Sequence, residues 1–175
     1  MWFFIILFLA ILTFGISRMV ISSKKKRRFD ARMHEVGFHR AGLPQVPENA
    51  MVDVLLGRDA LLIQHKGQTL ALNASRIRAA TFMTKTDLQR AGKSVIGRGV
   101  VGGVLLGPLG AIVGAASGVG DKKKAGNYLV VNYEMNGEIQ VIIFDFPRPG
   151  QAKTLARELG GEVFARNSRG GVMEI

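Results

Sequence analysis

The sequence predicts a mainly β protein: an antiparallel β barrel or sandwich capped by a C-terminal helix, preceded by a transmembrane helix and interrupted by a glycine-zipper helical hairpin. Three observations predict it. Apolar residues alternate over short runs, separated by turn residues, between 51 and 84 and again between 127 and 146. The chain begins with an almost unbroken apolar run closed by Lys24-Lys25-Lys26-Arg27-Arg28. Glycines then recur four apart at Gly99, Gly103 and Gly107, and again at Gly110, Gly114 and Gly118. That spacing puts small residues on one helical face, where a second helix can approach closely in lipid.

At 175 residues the chain has room for one compact domain and its attachments. A net charge of +11, from 24 Lys and Arg against 13 Asp and Glu, suits anionic lipid, nucleic acid or an acidic protein alike. With no cysteine there is neither a disulfide framework nor a thiolate zinc site.

Residues 1–22 are read as a membrane anchor. Trp2 to Ile16 is apolar apart from Thr13 and Gly15, and Met19 to Ile21 extend the run to about twenty residues, enough to span a bilayer core as a helix. A cleaved signal peptide wants positive charge before its apolar run, and here the basic cluster follows it. The positive-inside rule therefore places the N-terminus outside and residue 24 onward in the cytoplasm, as a single-pass protein of the cell membrane. Residues 23–35 read as a solvated juxtamembrane linker. Lys24, Lys25, Lys26, Arg27 and Arg28 orient the anchor and attract anionic lipid, at about 1 kcal/mol per basic residue.

The β domain opens at residues 36–93. Val52, Val54 and Leu56 share a face; Gly57-Arg58-Asp59 turns; Leu61, Ile63 and His65 follow; Lys66-Gly67-Gln68 turns; Leu70 and Leu72 follow; Arg76 to Thr84 makes a fourth run. Short strands joined by tight turns make an antiparallel meander. Thr86 to Ala91 fits a loop or a helical turn equally.

The second part, residues 125–168, starts with two strands joined by Asn136-Gly137, a strong two-residue hairpin signal. That turn sets Met135 opposite Glu138, Tyr133 opposite Gln140, Val131 opposite Ile142 and Leu129 opposite Phe144. Val130 and Ile143 make the other face apolar as well, which calls for a central position or a covering helix. Ala152, Leu155, Ala156, Leu159 and Val163 supply such a helix at i, i+3, i+4, i+7 and i+11. Gly160-Gly161 is expected to end it early, and residues 169–175 to form a tail.

Read as one helix, Gly99 to Val119 would cross the membrane and separate the two sets of strands. Neither set buries its apolar face alone. Arg90, Lys93 and Arg98 precede the stretch and Lys122-Lys123-Lys124 follows it, so both ends prefer the cytoplasmic side. The insert, residues 94–124, is therefore read as a hairpin reversed at Gly107-Pro108-Leu109-Gly110. Arms of about nine residues rise roughly 13 Å and reach about the bilayer midplane. Its glycine faces meet lipid, each other or a second copy, and Lys122, Lys123 and Lys124 add to the anionic-lipid contact.

Catalytic patterns fail on context. Gly97-Arg98-Gly99-Val100-Val101-Gly102 matches GxGxxG, but Pro108 breaks the helix it needs and Asp121 opens a lysine run instead of ending a strand. Gly92-Lys93-Ser94 lacks the leading glycine of a phosphate loop, since Asp87 stands there. His34-Glu35-Val36-Gly37-Phe38-His39 has one residue too many for a zinc-protease helix, which would set the imidazoles about 140° apart. No catalytic, cofactor-binding or metal-ligating residue is assigned, and no cofactor is expected. Nucleic acid is not an expected partner, because much of the excess charge flanks membrane segments and no stacking platform is legible.

The order of these elements resembles a bacterial pleckstrin-homology-like (PH-like, GRAM-like) domain with a glycine-zipper insert. The resemblance rests on His39-Arg40-Ala41-Gly42-Leu43-Pro44, Leu61-Leu62-Ile63, Arg76-Ile77, the insert from Ser94 to Gly118, Tyr128-Leu129-Val130-Val131-Asn132-Tyr133 and Ile143-Phe144. It covers roughly residues 36–166 and implies two near-orthogonal sheets closed at one end by the C-terminal helix. It also implies a seventh strand, for which Val36 to Phe38 is the segment left over. The function expected is a non-enzymatic, membrane-anchored cytoplasmic binding or scaffold module for lipid or protein partners, self-associating as a homo-oligomer through the zipper. The alternatives are a nucleotide-binding enzyme using Gly97 to Gly102 and a pore-forming or envelope-stress protein built on the zipper.

Overall fold

The period-two runs are strands, and they pair antiparallel into one sheet. A computed structural model describes residues 2–94 and 126–169, with residues 3, 12, 14–21, 91–94 and 162–169 described by backbone alone. Helix α1 (Trp2–Arg28) leads into β1 (Met33–Ala41), β2 (Met51–Leu56), β3 (Ala60–His65) and β4 (Gln68–Asn73). A 3-10 turn (Ala74–Arg76) connects to β5 (Ile77–Thr84) and α2 (Lys85–Ser94); β6 (Asn127–Met135), β7 (Glu138–Asp145) and α3 (Pro149–Arg169) complete the chain. Residues 95–125, and with them most of the insert, lie outside the described residues.

The seven strands run β4-β3-β2-β1-β7-β6-β5 in a single open sheet, which corrects the expected closed barrel or two-sheet sandwich. The reason lies in β1. Its Met33 to Phe38 pair with β2, and its Phe38 to Ala41 pair with β7, with an irregularity between His39 and Ala41 that bends the strand. One strand thus belongs to both halves. The edge strands β4 and β5 are consecutive in the chain, joined by the 3-10 turn alone, yet no ladder links them.

The sheet nevertheless wraps one core. Val54, Leu61 and Ile63 from one half pack in the same cluster as Leu129, Val131, Ile142 and Phe144 from the other. Leu155 and Leu159 of α3 complete it, and burial of each is worth about 1.5–3 kcal/mol. The expected 135–138 hairpin register is observed throughout. Its second apolar face is covered too: Val130, Val141 and Ile143 pack with Met83 and with Leu88 of α2.

The structure decides three stretches, one of which the sequence left open between loop and helical turn. Residues 86–91 are helical because Thr84 and Asp87 form a capping box: Asp87 Oδ2 accepts from the Thr84 amide at 3.0 Å, and Thr84 Oγ1 accepts from the Asp87 amide at 3.3 Å. Helix α3 continues through Gly160-Gly161 to Arg169, since it is already nucleated: Pro149 stands in its first turn and Gln151 Oε1 accepts from the Arg148 amide. The stretch read as a basic linker, 23–35, is the end of α1, a short connection and the start of β1.

Among the described residues, no helix is long and apolar enough to cross a membrane. The transmembrane helix expected over residues 1–22 is therefore not found among them. Helix α1 itself is 27 residues long. The side chains at 14–21, in the middle of its apolar run, are outside the described set.

Candidate functional site at the foot of the first helix

Alternation along β2 sends Val52, Val54 and Leu56 into the core and Asp53 outward. The same alternation on β1 puts His34 on that outward face, one diagonal step from Asp53. Helix α1 ends over this place. Ser22, Lys25 and Phe29 follow one another at i, i+3 and i+7, the spacing of one helical face.

The four polar groups meet there. Ser22 Oγ lies 3.0 Å from Nδ1 of His34, His34 Nε2 lies 2.6 Å from Asp53 Oδ1, and Lys25 Nζ lies 2.5 Å from Asp53 Oδ2. A carboxylate only accepts, so Nε2 of His34 carries a proton, and in the neutral ring Nδ1 accepts from the serine hydroxyl. The His34 hydrogen bond holds the Asp53 carboxyl below the usual carboxylate range; partial burial opposes that, and the Lys25 ammonium reinforces it. The His34 side chain is 6% exposed and Asp53 25%, so these contacts are partly shielded from water. Chemically the arrangement fixes the end of α1 to the outward face of the sheet.

Beside this junction an open groove of about 620 Å³ runs between α1 and the strands. Lys25, Arg28 and Phe29 form its helix side, Asp53, Gln64 and Thr69 its floor, and Met51, His65 and Lys66 its rim.

A second polar network is structural. His39 is buried in the core face, where Nε2 accepts from the Leu43 amide at 3.2 Å and Nδ1 donates to the Pro47 carbonyl at 3.1 Å. Arg40 pairs with Asp145 at 2.6 Å and also reaches Asn49. Together they pin the 42–50 loop to β7.

Of the residues singled out from sequence, Gly99, Gly103, Gly107, Gly110, Gly114, Gly118, Lys122, Lys123 and Lys124 lie outside the described residues, as do Gly97 and Gly102. Lys24, Arg27 and Arg28 are exposed, and Lys25 and Lys26 are half-buried. Only Lys25 and Arg28 of that set reach the groove. His34 and His39 sit on opposite faces of β1, because an odd spacing on a strand reverses the side. Sequence reasoning missed Ser22, His34 and Asp53 as a set. The available signal was Asp53, an acid flanked by Val52 and Val54 in an otherwise apolar strand.

Compared with known proteins, the chain matches no protein-family model and no curated sequence.

Proposed function

We propose that the protein is a non-enzymatic, membrane-anchored cytoplasmic binding module, with a PH-like β domain held at the membrane surface by α1. The observation that carries this reading is the character of α1. Its described N-terminal side chains are apolar and face outward on all sides, with Trp2 82%, Phe4 73%, Phe8 65% and Ile11 63% exposed. A helix apolar all round belongs in a protein core or in lipid, and the β domain leaves these residues uncovered. The basic end of the same helix is fixed to the sheet, so the anchor orients the domain.

The PH-like part of the reading is supported by seven antiparallel strands, a β1–β4 meander and a β5–β7 meander joined through the β1–β7 pairing, followed by a helix that packs into the core. The glycine insert joins β5 and α2 to β6, and in this reading its small-residue faces pack in the membrane or against a second copy. Partners are anionic lipid and a protein that the β domain recognises.

Alkaline carbonate extraction tests the anchor. The full chain stays with the membrane pellet, and the full chain carrying Phe8→Lys and Ile11→Lys moves to the supernatant. A wild-type chain released by carbonate contradicts the reading.

A second reading takes the Ser22–His34–Asp53 contacts as a nucleophile, base and orienting acid. It is the weaker one, because Lys25 shares the carboxylate and the imidazole is nearly buried. Fluorophosphonate labelling abolished by Ser22→Ala would support it.

A further inference from the structure

We propose that the groove at the foot of α1 is a binding site for a phosphate ester. Asp53, Gln64 and Thr69 stand in register across β2, β3 and β4 and form a polar floor on the outward face of the sheet. Gln64 Nε2 donates to Thr69 Oγ1 at 3.0 Å, which leaves the threonine proton free to donate into the groove. The one acid in the lining is already neutralised, since its two oxygens face His34 and Lys25.

The charge left over is positive. Among the described residues, Arg28 and Lys66 flank the groove without an ion pair to either. The Arg28 guanidinium lies 5.4 Å from the Phe29 ring centroid, a contact that orients the planar fork and leaves its N–H groups for an acceptor. Such a fork matches two phosphate oxygens, and an ammonium across the groove adds a point charge. Lys66 is held on the rim by a tight turn in which both Lys66 and Gly67 have positive φ.

The negative end of the α1 dipole opposes an anion here, but it is largely satisfied within the chain. The carbonyls of Lys25, Lys26 and Arg27 accept from the amides of Phe29, Ala31 and Asp30. The volume, about 620 Å³, lies within the range of small-ligand sites. Phe29 and the 63% exposed Met51 add an apolar lip suited to the carbon skeleton of the ester. Phosphatidyl headgroups and soluble phosphate esters share this chemistry, and the headgroup source rests on the anchored reading of α1.

Phosphorus NMR line broadening on the full chain in detergent micelles tests the site, with short-chain phosphatidylglycerol and glycerol phosphate as probes. Binding is saturable for at least one probe, and at least fivefold weaker in the double variant Arg28→Gln, Lys66→Gln. The control Arg148→Gln, Arg157→Gln removes the same charge from the α3 region and leaves binding unchanged. Saturation by the lipid alone assigns the headgroup, and saturation by both assigns phosphate esters generally; either supports the site. Equal losses in the two double variants, or no saturable binding of either probe, overturns it. Carbonate extraction of the same chains reads the anchor separately: a chain that washes off membranes yet binds the probe through Arg28 and Lys66 keeps the groove and loses the anchor.

Discussion

Asp53 Oδ1 lies 2.6 Å from Nε2 of His34, and its other oxygen lies 2.5 Å from Lys25, so one carboxylate on β2 ties the neighbouring strand β1 to the end of the first helix. Removing that carboxylate leaves the His34 N–H and the Lys25 ammonium without their acceptor. Asp53→Leu is therefore expected to destabilise the protein by about 1–3 kcal/mol. Ser22→Ala, which removes a neutral contact, costs about 0.5–1.5 kcal/mol. Urea unfolding of the two variants checks the order, and a larger effect for Ser22→Ala contradicts it.

The same carboxylate makes stability depend on acid. Its folded-state value is held below the ordinary 3.8, so its stabilisation is complete above that value and is lost as pH falls through the lower folded one. The gap in urea midpoint between wild type and Asp53→Asn should stay constant from pH 7 to about pH 5 and shrink below about pH 4. A gap that persists unchanged to pH 2 would falsify this assignment. Asp87, lowered by its hydrogen bonds to Thr84, contributes an acid dependence of the same sign.

Thr84→Ala removes the start of α2. The cap is worth about 1 kcal/mol, and its loss frays the turn that presents Leu88 to the second core cluster. Hydrogen exchange at the amides of residues 86–88 should speed up while exchange in β6 changes little. Protection that is equal in both proteins would show that the cap is dispensable.

Two glycines with positive φ should respond very differently to alanine. At Gly42 (φ +97°) an added Cβ would meet the Val141 carbonyl oxygen at 1.9 Å, whereas at Gly67 (φ +83°) it meets nothing within 4 Å. Gly67→Ala is expected to cost about 1 kcal/mol, from backbone strain alone. Gly42→Ala should cost upwards of about 3 kcal/mol, because β7 must shift as well. Thermal melts of the pair decide it; similar melting temperatures would mean the 42–50 loop yields without disturbing β7.

Self-association through the insert is tested by Gly103→Leu with Gly114→Leu. Cross-linked oligomer should fall severalfold while circular dichroism of the β domain is retained. Undiminished cross-linking removes the zipper from the proposal.

Much of the fold was legible because local rules dominate it. Asn136-Gly137 dictates its turn, the turn dictates the register, and the register places Val131 and Phe144 on the α3 side and Val130 and Ile143 on the α2 side. The sheet's connectivity was less legible, since β1 is bent and shared between two partners, a property that no single run of residues encodes. Helix α2 was ambiguous on hydrophobic period alone, yet Thr84-Lys85-Thr86-Asp87 carries the cap that decides it. The junction was hidden for a different reason. Ser22, His34 and Asp53 are far apart in sequence, and only the pairing of β1 with β2 under the end of α1 brings them together.

Single cysteines at Trp2 and at Gln68, in a chain that has none of its own, test the anchored topology most directly. In intact cells a membrane-impermeant maleimide should label position 2 and spare position 68, which reacts only after the membrane is opened. Labelling of position 68 from outside, or equal labelling of both positions in intact cells, contradicts the account.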